Sequence, residues 1–319
     1  METDYRFSLK QRFDIPTLAG MKSKVADKQN DLIDLQYKAD RLAILLEAKQ
    51  YCLELVYYNG LKKELDTRLS HAKTIAEAYK SRLEKGDVNR LAHNKVQLNL
   101  ATVEGEINRV DVERNALLSQ LKRLNGSLDI VFDIYQYEHI DLPVNFDEWF
   151  TQAIQKNPVL EYARQEIETS KQQLALNKAA GLPTFSAGYM SEKAVGQQYQ
   201  GLTVGVSIPL WENKNRIKQA KASITAAELR DKDSRQQFYN RLRILYERTL
   251  GLKVTAEKYS QALSAVSNTD LLKKALDAGE ISLLDYLLEI GLYYNTVNQA
   301  LEADRDYQKA FAELSAVEL

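Results

Sequence analysis

The chain has one cysteine, Cys52, which excludes an internal disulfide and a thiolate zinc site. Cys52 stands in a helical run, where a small packed residue is the ordinary role. The only histidines, His71, His93 and His139, lie far apart and form no metal-ligand spacing. Five prolines and thirteen glycines in 319 residues leave few breaks in the periodic segments. No apolar run approaches the ~20 residues of a membrane helix. The start, Met1-Glu2-Thr3-Asp4-Tyr5, is polar and acidic and does not read as a signal peptide. Charged residues make up 27% of the chain, yet the net charge is −1, which argues against a basic nucleic-acid surface. A Gly-rich phosphate loop, a nucleophile elbow and a paired His/acid cluster are all missing, so no enzyme, cofactor or metal chemistry is expected.

What is present is organised around a turn that occurs twice. Leu83-Glu84-Lys85-Gly86-Asp87-Val88-Asn89-Arg90-Leu91 has a counterpart in Leu276-Asp277-Ala278-Gly279-Glu280-Ile281-Ser282-Leu283-Leu284. Each reads as a helix, a Gly stop, an acid, a β-branched residue, an Asn or Ser N-cap and a new apolar helix. Each therefore predicts a tight turn between antiparallel helices. Gly86 and Gly279 are 193 residues apart, and so are Pro16 and Pro209, which end two matching strands. Leu9, Phe13 and Ile15 fall on Leu202, Val206 and Ile208 at the same offset. Two landmarks sharing one offset predict an internal duplication, with copies at 1–157 and 158–319.

Along the chain, residues 5–15 alternate. Tyr5, Phe7, Leu9, Phe13 and Ile15 face one way, and Arg6, Ser8, Lys10, Arg12 and Asp14 the other, which predicts a two-faced strand. From Pro16 to Leu83 the apolar spacing is heptad-like (Val25, Leu32, Leu35, Leu42), with Gly60 as a candidate bend. One helix of that length would run roughly 100 Å, too far for a globular core, and implies a coiled coil or elongated bundle. A second helix is expected over 89–124, an aromatic connector over 126–146, a short helix capped by Asp147, and another helix from Asn157-Pro158 to Ala180. Residues 184–192 and 201–208 predict a hairpin around a polar loop near Gly196-Gln197-Gln198. Its second strand puts Leu202, Val204, Val206 and Ile208 on one face and Thr203, Gly205 and Ser207 on the other. A helix to about Ala278, the second turn and a last helix from Leu283 to Leu314 complete the order. The second copy has a helix and a strand before its hairpin partner that the first lacks, so the chain is expected to be a truncated form of something longer.

This order resembles the TolC-type outer-membrane efflux proteins. The likeness rests on Leu182-Pro183-Thr184-Phe185-Ser186-Ala187-Gly188-Tyr189, on Val204-Gly205-Val206-Ser207-Ile208-Pro209-Leu210-Trp211 with Asn213 after it, and on Gly279-Glu280-Ile281-Ser282-Leu283-Leu284-Asp285-Tyr286-Leu287-Leu288. The resemblance implies a mainly α fold with a small β part: a long antiparallel α-helical coiled-coil barrel plus membrane β-barrel strands, assembled as a homotrimer. It implies a passive exit duct in the outer membrane with a periplasmic extension, working with a periplasmic adaptor and an inner-membrane pump. An apolar-out, polar-in strand is the pattern of a transmembrane barrel. A structural coiled-coil scaffold would account for the helices but not for the amphipathic hairpin. An adaptor of the same machine would need more strands.

The expected sites follow. Leu9, Phe13, Tyr189, Leu202, Val204 and Val206 face lipid, with Tyr189 and Trp211 as candidate interfacial aromatics. Gly86, Asp87, Val88, Gly279, Glu280 and Ile281 form the tip that meets the adaptor. Asp285 has two readings: a capping box with Ser282, or, from the resemblance, a three-fold carboxylate ring that draws cations, with Glu289 adding a second ring. The second acid of the resembled family falls on Leu288.

Overall fold

The computed structural model describes residues 5–13, 16–194, 197–208, 213–266 and 269–318. Asp14, Ile15 and the Pro209-Leu210-Trp211 exit lie outside the described residues, and Phe13 is described by its backbone alone. The elements are β1 (Tyr5–Phe13), α1 (Pro16–Glu84), α2 (Arg90–Leu124), α3 (Phe146–Lys156), α4 (Pro158–Ala179), β2 (Thr184–Ala194), β3 (Gln197–Ser207), α5 (Asn213–Ala265), α6 (Thr269–Asp277) and α7 (Leu283–Leu314), with a closing 3₁₀ turn at Ser315–Glu318. Among the described residues no helix is long and apolar enough to cross a membrane.

Two units divide the chain, and each draws on two separate segments. The first joins Met1–Asp40 to Gln152–Tyr239. It holds a three-stranded antiparallel sheet in the order β1-β2-β3. Asn157 caps α4 by accepting from the amides of Val159 at 2.9 Å and Leu160 at 3.1 Å, and Pro158 takes the first helical position, where no N–H is needed. Leu160 is fully buried behind that cap. The Gln165 amide donates to Asp31 at 2.9 Å, linking α4 to α1, and Arg230 pairs with Glu166, linking α5 to α4.

The second unit joins Arg41–Thr151 to Asn240–Leu319. One core forms around Tyr57, Leu61, Leu65 and Val110, with Ile107, Tyr137 and Leu301 packed on it. Glu54 receives Lys309 at 2.6 Å and Arg305 at 3.7 Å, and the Arg305 guanidinium lies 4.6 Å from the Tyr57 ring centre. Burial raises the Tyr57 phenol to about 12. Arg68, nearly buried, donates to the Tyr294 carbonyl at 3.3 Å and to Asn298 Oδ1 at 2.9 Å, with its guanidinium 4.2 Å from the Tyr294 ring centre.

The connector between α2 and α3 is an extended strap fastened by side chains. Asn59, 1% exposed, donates to the carbonyls of Phe132 at 3.2 Å and Ile134 at 2.9 Å, and accepts from Arg114 Nε at 2.7 Å. Further along, the Tyr137 hydroxyl donates to the Leu53 carbonyl at 2.9 Å, and Gln308 donates to the Glu138 carbonyl at 3.1 Å. The Tyr246 hydroxyl donates to the Pro143 carbonyl at 2.7 Å. Backbone groups without a ladder partner are thus satisfied one by one.

Helix α1 runs through Gly60, whose missing side chain lies beside the strap, where a Cβ would meet the Tyr135 carbonyl at 3.5 Å. Three expectations are corrected. The cap of α3 is Asn145, not Asp147: Asn145 Oδ1 accepts from the amides of Asp147 at 3.0 Å and Glu148 at 3.4 Å. The helix expected to reach Ala278 is described as two, α5 ending at Ala265 and α6 beginning at Thr269, with Ser267 and Asn268 outside the described residues. Finally, the polar stretch 197–200 is strand rather than loop, paired through Gln197↔Ala194 to Gln200↔Ser191, since a ladder needs backbone and not apolar side chains.

Candidate functional site

The two helix turns have the same hydrogen-bonded geometry. Gly86 has φ 78° and Gly279 φ 74°, in the left-handed region that a side chain resists. At the first turn the Gly86 amide donates to the Leu83 carbonyl at 3.1 Å and the Asp87 amide to Arg82 at 2.8 Å; at the second, Gly279 donates to Leu276 at 3.1 Å and Glu280 to Ala275 at 2.9 Å. Both are Schellman closures. Asn89 then caps α2 by accepting from the Ala92 amide at 2.9 Å, and Ser282 caps α7 by accepting from the Asp285 amide at 3.2 Å.

The turns sit over one shared core of Ile75, Ala76, Tyr79, Val96, Leu276, Tyr286 and Ile290. Burial raises the Tyr286 phenol to about 12, reinforced by Tyr294 and Asp277. Val88 and Ile281 are half-buried and pack into this core, whereas Gly86, Asp87, Gly279 and Glu280 are exposed. The β-branched residue therefore anchors each turn from below, and the glycine and acid form its outer surface.

Asp285 completes a capping box: its Oδ2 accepts from the Ser282 amide at 3.3 Å and from the Ser282 hydroxyl at 2.6 Å. Its carboxylate is exposed, as is that of Glu289 one turn later. Between and beyond them Leu284, Leu288 and Leu292 are exposed at four-residue spacing. Helix α2 carries a similar stripe at sevens, Leu91, Leu98 and Val112, opposite a buried row of Val96, Val103 and Val110. Helix α2 thus has two apolar rows, and the spacing carries the signal, since 91, 98 and 112 cannot share a row with 96, 103 and 110.

In the sheet, register aligns the apolar residues across the strands. Leu9 pairs with Tyr189 and Tyr189 with Leu202; Ala187 pairs with Val204; Phe13 pairs with Phe185 and Phe185 with Val206. Leu9, Leu202, Val204 and Val206 are 66%, 86%, 83% and 56% exposed, an apolar face that none of the described residues covers. The opposite face has Lys10, Gly188 and Thr203 in one row and Ser186 and Gly205 in the next. A Cβ on Gly188 would fall 2.7 Å from the Leu9 carbonyl and 2.8 Å from Thr203 Oγ1, so β1 backbone on one side and the Thr203 side chain on the other leave no room for a side chain. Arg6 and Glu192, 3.8 Å apart, mark the polar end of the same face.

The chain has the fold of the TolC-type outer-membrane channels. It superposes on the CmeC outer membrane channel of Campylobacter jejuni with a TM-score of 0.74 and 15% identity, over 98% of this chain and 70% of that one. It matches the open state of the MtrE outer membrane channel of Neisseria gonorrhoeae with a TM-score of 0.76 and 13% identity, over 99% and 80%. By sequence it is 24% identical over 252 residues to the alkaline protease secretion protein AprF of Pseudomonas aeruginosa, across 72% of this chain. The chain spans about half, 52%, of the length of that curated relative. No family model matches the chain.

Proposed function

We propose that the chain is a subunit of an outer-membrane exit duct in a tripartite efflux or type I secretion system, a passive channel and not an enzyme. The observation that carries this is the sheet: an uncovered apolar face backed by a face of Gly, Ser, Thr and Lys is what a lipid-facing, water-lined barrel wall requires. A sheet of three strands leaves both edges unpaired, and in hydrocarbon each unpaired backbone group costs several kcal/mol. Closure with further copies removes those edges. We infer a homotrimer, with the exposed stripes of α2 and α7 as helix contacts between copies.

In this reading Leu9, Phe13, Tyr189, Leu202, Val204 and Val206 face lipid. The outer surfaces of the two turns, Gly86, Asp87, Gly279 and Glu280, receive a periplasmic adaptor that links the duct to an inner-membrane pump, while Val88 and Ile281 hold those surfaces in shape. The shared offset of 193 residues and the matching turn geometry support a duplicated subunit with its break near residue 157. The exposed carboxylates of Asp285 and Glu289, repeated by three-fold symmetry, would form acid rings near the turns. The capping box is compatible with this, because the second carboxylate oxygen of Asp285 stays free for solvent.

The test is fractionation and mass. The chain, expressed with an export signal, should cofractionate with outer membranes and sediment in detergent at three times its own mass. Cysteines placed at Asp87 or Glu280 should crosslink to a cognate adaptor. Recovery as a soluble monomer, with crosslinks that do not depend on position, would refute the proposal. For the rings, Asp285→Asn should lower cation selectivity in planar bilayers; an unchanged selectivity would leave Asp285 a helix cap alone.

A further inference from the structure

We propose that a cavity beneath the strap in the second unit, lined by Tyr137, Glu257, Val297, Leu301, Asp304 and Tyr307, binds a small organic ammonium ion with an apolar body. This stands apart from the export reading and uses none of its residues. The cavity has about 600 Å³, within the range of small-molecule sites. Its lining combines apolar residues, Leu263, Val297, Ala300 and Leu301, with polar ones.

Two unmet needs point to the ligand. Asp304 is a half-buried carboxyl for which no ion pair exists among the described residues, and its burial pushes it above the usual carboxylate range, opposed only by a hydrogen bond from Gln308. Tyr307 is 8% exposed, and its hydroxyl has no hydrogen-bond partner although it is enclosed. Burial raises this phenol first, and the charges of Glu257, Asp304 and Asp141 raise it further, which places the hydroxyl in the same negative field. An ammonium group answers both needs: it supplies the missing cation to Asp304 and an N–H for the Tyr307 oxygen to accept.

Charge and shape narrow the class. The lining carries three carboxylates, Glu138, Glu257 and Asp304, against two basic side chains, Lys253, which lies 3.9 Å from Glu257, and His139, which lies 3.4 Å from Asp141. An anion is therefore disfavoured. Among the described residues no three metal-ligating side chains converge, so a bare metal ion lacks its donors. The aromatic walls of Tyr137 and Tyr307 suit a cation carried on an apolar body.

The experiment is calorimetric titration of the full chain in detergent with 2-phenylethylammonium, with neutral 2-phenylethanol and anionic phenylacetate as controls. The ammonium should bind at least tenfold tighter than either control. Asp304→Asn should weaken it about 10- to 100-fold, the scale of a lost charge-assisted hydrogen bond, and Tyr307→Phe about 5-fold, while Asp306→Asn should leave it unchanged. Circular dichroism melting verifies that each variant folds, and either variant alone decides the question if the other does not. No heat from the wild type up to millimolar probe, equal binding of the alcohol, or binding unaltered by both substitutions would overturn the proposal. Self-association that vanishes in Asp304→Asn would also overturn it, since the occupant would then be a lysine of a second copy.

Discussion

Replacing Asn59 by Ala should free the strap without unfolding the unit beneath it. Asn59 makes three hydrogen bonds: two donated to strap carbonyls at 3.2 and 2.9 Å and one accepted from Arg114 at 2.7 Å. The two bonds to the strap are neutral and each worth about 1 kcal/mol. The Arg114 bond joins α1 to α2 and is absent from the variant whether the strap is closed or open, so it does not enter the opening equilibrium. Loss of the two strap bonds removes about 2 kcal/mol, roughly thirtyfold in that equilibrium. Arg114 keeps Asp111 at 3.6 Å. The Tyr137 and Gln308 anchors hold the strap further along, so the opening should centre on Phe132–Tyr135. Chymotrypsin reports it directly, because cleavage at a transiently open segment follows the population of the open form. Cutting after Phe132 and Tyr135 should accelerate about thirtyfold, with the helical far-ultraviolet signal retained. An acceleration below fivefold would show that the strap is held by packing and that the Asn59 bonds are incidental.

Three further outcomes follow from particular residues. Gly86→Ala and Gly279→Ala should each destabilise by about 1 kcal/mol through left-handed backbone alone, since a Cβ at either meets nothing within 4 Å; Gly105→Ala, in the middle of α2, should change stability in the opposite direction, and thermal melts that give all three the same sign would refute the assignment. Asp304→Asn should raise the melting temperature at neutral pH. The folded state holds this carboxyl above its ordinary value of 3.8, so its stabilising contribution is complete below that value and is lost as pH rises through the folded value; the gain from Asn should shrink on acidification, and a gain that is constant with pH would argue against it. The Tyr57 and Tyr286 phenols, raised to about 12, favour the fold below pH 10, and that contribution falls away as pH climbs from 10 to 12; absorbance at 295 nm should show them ionising after the exposed tyrosines and together with loss of helix.

How much of this was readable in the residues depended on range. The helix turns were legible because Gly-acid-β-branched-cap chemistry is satisfied within one turn of backbone, and the capping box of Ser282 and Asp285 formed as the spacing required. The two faces of β1 and β3 were legible because strand alternation has a period of two whatever the partner. The strap was not: its anchors lie 73 to 170 residues away in sequence, and a lone buried Asn leaves no periodic trace. The Asp304 cavity was hidden for the same reason, since its groups come from the strap, α5 and α7. The α3 cap was missed because Asn145 and Asp147 are both good caps, and only the backbone entry angle decides between them. The exposed row of α2, Leu91, Leu98 and Val112, carries an apolar period that does not by itself say which copy of the chain covers it.

Gly188 has a consequence for how this sequence can change. Every missense change of one base in a glycine codon adds at least a methyl group, and at Gly188 even that group would fall inside contact distance of the Leu9 carbonyl and Thr203. Flexible neighbours cannot yield, because the nearest obstacle is backbone. Gly86 and Gly279 differ: space around them is open, and Asn could take up their left-handed backbone at modest cost. The centre of the sheet is thus closed to single-step mutation while the turns are open to drift. In a population of such chains, variation should collect at the turns, where a partner could select it, and be purged from the row through Lys10, Gly188 and Thr203.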